Sequence, residues 1–229
     1  MTAPAVKPVL WSGYDWVDGV RPEHRVLTGR TYDIAKRALD LTLVIAFAPL
    51  WVPLLLACAL AVKLDDRSGA VIFSQVRTGR GGKSIRMHKF RTMVPNAEEM
   101  KWELRHLNEL EWPDFKITDD PRITRPGRFL RTTSLDELPQ LWDVLMGRLS
   151  LVGPRPTDFM PDTYSLWQTE RLDVMPGITG LWQIYGRGLS EFDERTRLDI
   201  AYVQRRGMWM DIQILFRTIP AVLTRRGAV

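Results

Sequence analysis

Between residues 41 and 62 the chain reads LTLVIAFAPLWVPLLLACALAV, without one charged side chain. Such a run exceeds the roughly 18 apolar residues that separate a membrane segment from an ordinary core helix. At about 1.5 Å per residue it just covers a hydrocarbon layer of roughly 30 Å if it stays straight. Pro49 and Pro53 interrupt it. Each removes a backbone donor and crowds the preceding turn, so the pair is expected to act as a hinge. Basic residues flank both ends: Arg25, Arg30, Lys36 and Arg37 before, and Lys63, Arg67, Arg77 and Arg80 after. Positive charge is retained on the cytosolic side, so neither end favours crossing. The pattern favours a re-entrant segment over residues 31–64 that dips in, bends near Pro49 and returns. A spanning helix and a buried soluble hairpin are the alternatives.

Residues 1–30 read as an irregular lead-in, with Trp11, Tyr14 and Trp16 placed either at a membrane interface or in ordinary packing. Their prolines and Asp18 do not form a signal for export. Residues 65–229 read as a cytosolic domain. Strands are expected at 71–73 and 85–90, joined by a loop over 78–83. That loop contains Gly82-Lys83-Ser84, the tail of a phosphate-binding P-loop, but Arg77 stands where the pattern needs Gly and a strand follows where it needs a helix. Helices are expected near 97–111, 135–149, 191–206 and 209–223. The last, followed by Arg225 and Arg226, suits either the membrane plane or burial. The fold class is therefore α+β, a mainly helical cytosolic domain with a small β-hairpin and a proline-broken membrane helix. The net charge of +5 points to phosphates or an anionic membrane surface, and no nucleic-acid-binding pattern accompanies it. Cys58 is the single cysteine, so no disulfide framework or Cys/His metal spacing exists. His24, His88 and His106 form no local motif with a nucleophile.

The chemistry is concentrated in Ser134-Leu-Asp136-Glu137-Leu-Pro-Gln. One reading is structural: Ser134 and Glu137 match a capping box and Asp136 favours the helix dipole. Pro139 weakens it, since its missing N–H leaves the carbonyl of Leu135 without a partner in a regular helix. The other reading follows from the surrounding charge. Arg128 and Arg131 precede the acids, and Gly153-Pro154-Arg155-Pro156 holds an arginine between two residues of fixed φ. Guanidinium forks match phosphate oxygens, and Mg²⁺ is commonly held by one or two carboxylates together with substrate phosphates. A carboxylate can also attack phosphorus to give an acyl phosphate. Pro176-Gly177-Ile178-Thr179-Gly180 and Gly186-Arg187-Gly188 are turn signals whose glycines also let backbone N–H groups approach an anion.

Taken together, KFRTM at 89–93, DDPRITRPGRFLRTTSLDELPQLWDVL at 119–145, LSLVGPRP at 149–156, PGITGLWQIYGRG at 176–188 and the closing RRGAV resemble the bacterial sugar transferase family, the monotopic polyprenyl-phosphate glycosyl-1-phosphate transferases. The resemblance runs from about residue 32 to the end. It implies transfer of a sugar-1-phosphate, such as that of glucose or galactose, from a UDP-sugar to undecaprenyl phosphate at the cytosolic face of the inner membrane, starting a surface polysaccharide. It implies Asp136 as nucleophile and Mg²⁺ contact, Glu137 as its catalytic neighbour, Arg131 and Arg155 on phosphate, and Lys89, Gly180 and Arg187 as further substrate contacts. It also implies a membrane helix broken at Ser-Pro, whereas Ala48 precedes Pro49 here, so no hydroxyl serves the bend. Larger relatives carry several membrane spans ahead of this unit, and this chain resembles their catalytic part. Exposed apolar helices are compatible with a homodimer. Two other functional classes compete: a membrane-anchored scaffold that binds without turnover, and a diphosphate hydrolase that releases UMP without a lipid acceptor.

Overall fold

A computed structural model describes residues 15–18, 20, 25–109, 115, 117–159, 163–185 and 192–224. In chain order the elements are α1 (Asp15–Asp18), α2 (Gly29–Ala46), α3 (Ala48–Asp65), β1 (Ile72–Thr78), β2 (Ser84–Phe90), α4 (Ala97–Glu103), α5 (Arg125–Thr132), α6 (Gln140–Leu145), β3 (Ser150–Val152), β4 (Gly177–Thr179), α7 (Leu181–Tyr185), α8 (Phe192–Arg205) and α9 (Met208–Leu223). This is the expected α+β class. β1 and β2 form the antiparallel hairpin, with Ile72 opposite Phe90 and Thr78 opposite Ser84. The hairpin is longer than the sequence indicated, because the polar residues Ser74, Gln75 and Arg77 continue β1. Ser84 opens a strand, which is incompatible with a P-loop. Residues 176–180, expected to be a plain turn, supply β4, which pairs in parallel with β3 through Ser150 and Gly177.

The apolar run divides into α2 and α3. The break falls at Phe47 (φ −91°, ψ 4°), and Pro49 sits in the first turn of α3, where a missing N–H costs no hydrogen bond. Pro53, the second residue of the expected hinge, lies inside α3 without interrupting it. The sequence lacks a serine hydroxyl at the bend, but the Trp51 indole N–H donates to the carbonyl of Val44 at 2.8 Å and bridges the break. Val44 thereby finds a partner in a region where water is scarce.

Both outer ends of this helix pair rest on the same body. On α2, Tyr32 donates to the buried Asp211 carboxylate at 2.8 Å, Lys36 pairs with it at 3.2 Å, and Asp40 accepts from Ser150 at 2.7 Å. Arg37 donates to the last carbonyls of α6, Val144 and Leu145, at 2.5 and 2.9 Å. On α3, Cys58 and Val62 are buried with Phe90 and Leu130. Between these anchors Ile45, Phe47, Leu50, Leu54 and Leu56 are exposed. Among the described residues α3 alone is long and apolar enough to cross a membrane.

A second core gathers Val152, Leu181, Leu198, Tyr202, Met210 and Ile214 from β3 and α7 to α9. α9 divides its faces: Met210, Asp211 and Ile214 are buried, while Trp209, Phe216 and Ile219 are exposed. One face is therefore buried, and the other is apolar and exposed. In the lead-in, α1 buries Val17 in this core, and Arg217 lies 4.5 Å over the ring of Trp16. Trp16 thus packs on the domain, whereas Trp11 and Tyr14 lie outside the described residues.

Candidate active site

The expected helix over 135–149 does not form as one piece. Ser134 takes φ +57°, a left-handed conformation uncommon for a residue with a Cβ, and its side chain makes no capping bond. Leu135–Glu137 is a single 3-10 turn, and α6 starts only at Gln140. The 3-10 geometry answers the proline problem, because the carbonyl of Leu135 now accepts from Leu138 at 3.2 Å. The capping-box reading is thus overturned: Glu137 turns away from Ser134 and joins residues far away in sequence.

Glu137 accepts from Lys89 at 3.1 Å, and Arg155 grips both its oxygens, at 2.5 and 3.4 Å. Although burial opposes ionisation, Arg155 and Lys89 win, and the Glu137 carboxyl is held far below the ordinary carboxylate range. Asp136 is in the opposite condition. It makes no hydrogen bond or ion pair with the described residues. Burial, with Glu137 adding like-charge repulsion, raises its pKa against the pull of Lys89, Arg155 and Arg131. The segment therefore presents a locked anion beside an uncommitted carboxylate, both lining a cavity of about 520 Å³.

Each partner is fixed from behind. The buried Asp143 of α6 accepts from the backbone N–H of His88 at 2.9 Å and lies 2.7 Å from its Nδ1, which pins β2 next to Lys89. Sequence reasoning gave His88 no role and did not single out Asp143. Arg131, in the last turn of α5, donates to Thr92 at 2.9 Å. α5 comes this close because Gly127 lies against Thr92, where a Cβ would stand 2.1 Å from the carbonyl oxygen. Arg155 is braced by Arg171, which donates to its carbonyl at 2.7 Å and is itself paired with buried Asp199. The ring of Trp182 lies 5.7 Å from the Arg155 guanidinium.

Lys89, Arg131, Asp136, Glu137 and Arg155 thus meet at one cavity. Gly180 does not line it. A Cβ at Gly180 would lie 2.4 Å from the carbonyl oxygen of Gly153, so this glycine permits the β3–β4 contact that leads into Arg155. Gly180→Ala is expected to cost about 1–3 kcal/mol of overpacking, read as a lower melting temperature. A melting curve that matches the parent would remove this packing role. Arg187 lies outside the described residues, and Arg128 pairs with Asp119 at 3.3 Å on the surface. Arg77, which sequence reasoning treated as flanking charge and as the mismatch to a P-loop, lines the cavity together with Gln75. Phe73, Gln75 and Arg77 share one strand face, and this period-two signal was available in the sequence.

Among the described residues no three His, Cys, Asp or Glu side chains gather to hold a metal. One open carboxylate, Asp136, still suits Mg²⁺ that brings its remaining ligands from phosphate and water.

The sequence model described as bacterial sugar transferase matches residues 31–225. The galactosyl transferase CpsE of Streptococcus agalactiae serotype III is 45% identical over 197 residues, covering 85% of this chain and 43% of its own length. The exopolysaccharide production protein ExoY of Rhizobium meliloti is 37% identical over 202 residues, covering 85% and 88%. The UDP-glucose:undecaprenyl-phosphate glucose-1-phosphate transferase of Caulobacter vibrioides is 40% identical over 207 residues, covering 86% and 72%. The chain thus spans less than half the length of the streptococcal relative and most of the rhizobial one. With its matched span enclosing the apolar helices α2 and α3 and every residue of the acidic and basic cluster, the chain belongs to the bacterial sugar transferase family.

Proposed function

We propose that the protein transfers a sugar-1-phosphate from a UDP-sugar to undecaprenyl phosphate, with a hexose such as glucose or galactose as the sugar. The observation that carries this reading is the asymmetry of the acids: Glu137 is locked by Lys89 and Arg155 while Asp136 is left open within the same cavity. An oxygen of Asp136 attacks the sugar-linked phosphorus, the bond bridging the two phosphates breaks, and UMP leaves with the electron pair. A phosphate oxygen of the lipid then attacks the same phosphorus and the aspartyl bond breaks, restoring the carboxylate. Lys89, Arg131 and Arg155 supply positive charge where the transferring group spreads its negative charge. Mg²⁺, when bound through Asp136 and the phosphates, would add charge neutralisation. Names of relatives that include galactose and glucose transfer support the substrate class.

The test is intact-protein mass spectrometry of detergent-solubilised protein with Mg²⁺ and a panel of UDP-sugars, without acceptor. A gain of one sugar phosphate, discharged by undecaprenyl phosphate, is the expected result and names the sugar. Lipid product without any adduct would replace the covalent route with direct transfer.

The α2–α3 pair is the membrane anchor in this reading. It enters the cytosolic leaflet of the inner membrane and returns, because both its outer ends are bonded to one body and its middle is apolar and exposed. In a Cys58→Ser background, Arg30→Cys and Arg67→Cys are expected to react with a membrane-impermeant thiol reagent only from the cytosolic side. Labelling of the two from opposite sides would mean a spanning helix.

A further inference from the structure

The two-step reading imposes a geometric requirement. In an in-line displacement the leaving oxygen departs opposite the attacking one. UMP therefore leaves along the side of the phosphorus facing away from Asp136, and the lipid phosphate must later arrive along that line to expel Asp136. One cationic subsite, beyond the phosphate held beside Asp136, has to serve both.

Lys89, Arg155 and Arg131 are the cations that act on Asp136. Arg77 lies farther along the cavity wall. Phe73 pairs across the hairpin with Lys89, and Arg77 is four residues on, about 14 Å at roughly 3.4 Å per residue. Burial lowers the Arg77 pKa foremost, Asp158 opposes this, and the charge of Arg155 adds to the lowering. Arg77 and Arg155 both line the same cavity. Arg77 is pre-positioned: its terminal nitrogens contact Asp158 at 2.9 Å and Gln75 at 2.6 Å, while its Nε is buried without a partner. Asp158 is 65% exposed, so its charge is well screened. The segment 157–159 that carries Asp158 is also held by neighbouring Thr78, which donates from its backbone to Thr157 at 2.8 Å and from its hydroxyl to Phe159 at 2.6 Å.

We propose that Arg77, next to Arg155, forms a second phosphate subsite that holds the outgoing phosphate of UMP in the first half-reaction and the incoming phosphate of the lipid in the second. This rests on the covalent two-step reading.

The test compares wild type with Arg77→Gln and Arg77→Lys as full chains in detergent. UMP and uridine are titrated as inhibitors of adduct formation, and the preformed adduct is discharged with undecaprenyl phosphate. In Arg77→Gln the inhibition constant of UMP is expected to rise at least about tenfold, and that of uridine to stay within about twofold. The lipid phosphate concentration for half-maximal discharge is expected to rise at least about tenfold as well, with partial recovery of both in Arg77→Lys. Equal weakening of UMP and uridine in both variants would make Arg77 a structural residue and overturn the proposal. So would an unchanged UMP constant, or a loss confined to UMP or to the lipid. Absence of an adduct in wild type is a separate failure, that of the covalent reading, and it would take the shared subsite with it.

Discussion

Asp136→Asn is expected to lower sugar-phosphate transfer by at least about 10³-fold, while the protein melts at the parent temperature or above it. The loss follows from chemistry: the amide cannot attack phosphorus, and among the described residues the other carboxylate beside Lys89 and Arg155 is Glu137, which both already hold. The stability follows from linkage. Burial foremost, then the like charge of Glu137, raises the Asp136 pKa above its ordinary value of 3.8. The folded state thus binds this proton more tightly than the unfolded chain does. The cost of ionising Asp136 therefore grows as pH rises from 3.8 and is complete above the raised folded value, so it is present at neutral pH. Asparagine removes that cost without changing the shape of the side chain. Transfer rates and thermal melts of the two proteins separate the cases. Retained transfer would remove Asp136 as nucleophile and favour a binding scaffold. A markedly lower melting temperature would assign the carboxylate a structural role instead.

What the sequence disclosed and what it hid divide by range. The apolar run, the hairpin and the last two helices are local patterns of period and composition; α8 and α9 fall within a residue of where they were expected, while β1 runs five residues further. The break at Phe47 was placed slightly late, because prolines mark where a helix restarts as readily as where it ends, and Pro49 occupies the first turn of α3. The compensating Trp51–Val44 bond depends on a side-chain direction, which composition does not encode. Ser134-Leu-Asp136-Glu137 was locally ambiguous: the letters of a capping box are those of this site. The contest is decided by Lys89 and Arg155, which lie 48 and 18 residues from Glu137. Gly180 was read as part of a turn whose glycines could also let an anion approach, and the space beside its Cα is filled by the backbone of Gly153. The bonds from Tyr32 and Lys36 to Asp211, which seat α2 on α9, likewise follow from the tertiary fold and not from any local motif.

Glu137→Gln is expected to cost transfer about 10²-fold or more and to move the acidic limb of the pH–rate profile downward. Glutamine keeps the side-chain length but withdraws the anion that Arg155 and Lys89 grip. Lys89 and Arg155 are half-buried, so leaving them without their partner costs less than the roughly 3–5 kcal/mol of a fully buried broken pair. The freed cations then turn to the remaining carboxylate. Asp136 loses a like charge and gains Arg155 and Lys89 as closer counter-ions, so its pKa falls and adduct formation persists to lower pH, though from a displaced phosphate site. Stability has its own pH signature. Glu137 is depressed in the folded state by Arg155 and Lys89 in spite of burial, so its contribution is present above the ordinary value of 4.5 and is lost as pH falls through the lowered one. The melting-temperature gap between wild type and Glu137→Gln should therefore be widest at neutral pH and should narrow below 4.5. If Glu137 served only to end a helix, the substitution would leave the rate and the acidic limb where they are, since glutamine serves that capping position as glutamate does. An unmoved acidic limb, measured on adduct formation with saturating UDP-sugar, would thus separate the two acids electrostatically and reduce Glu137 to a brace for Arg155.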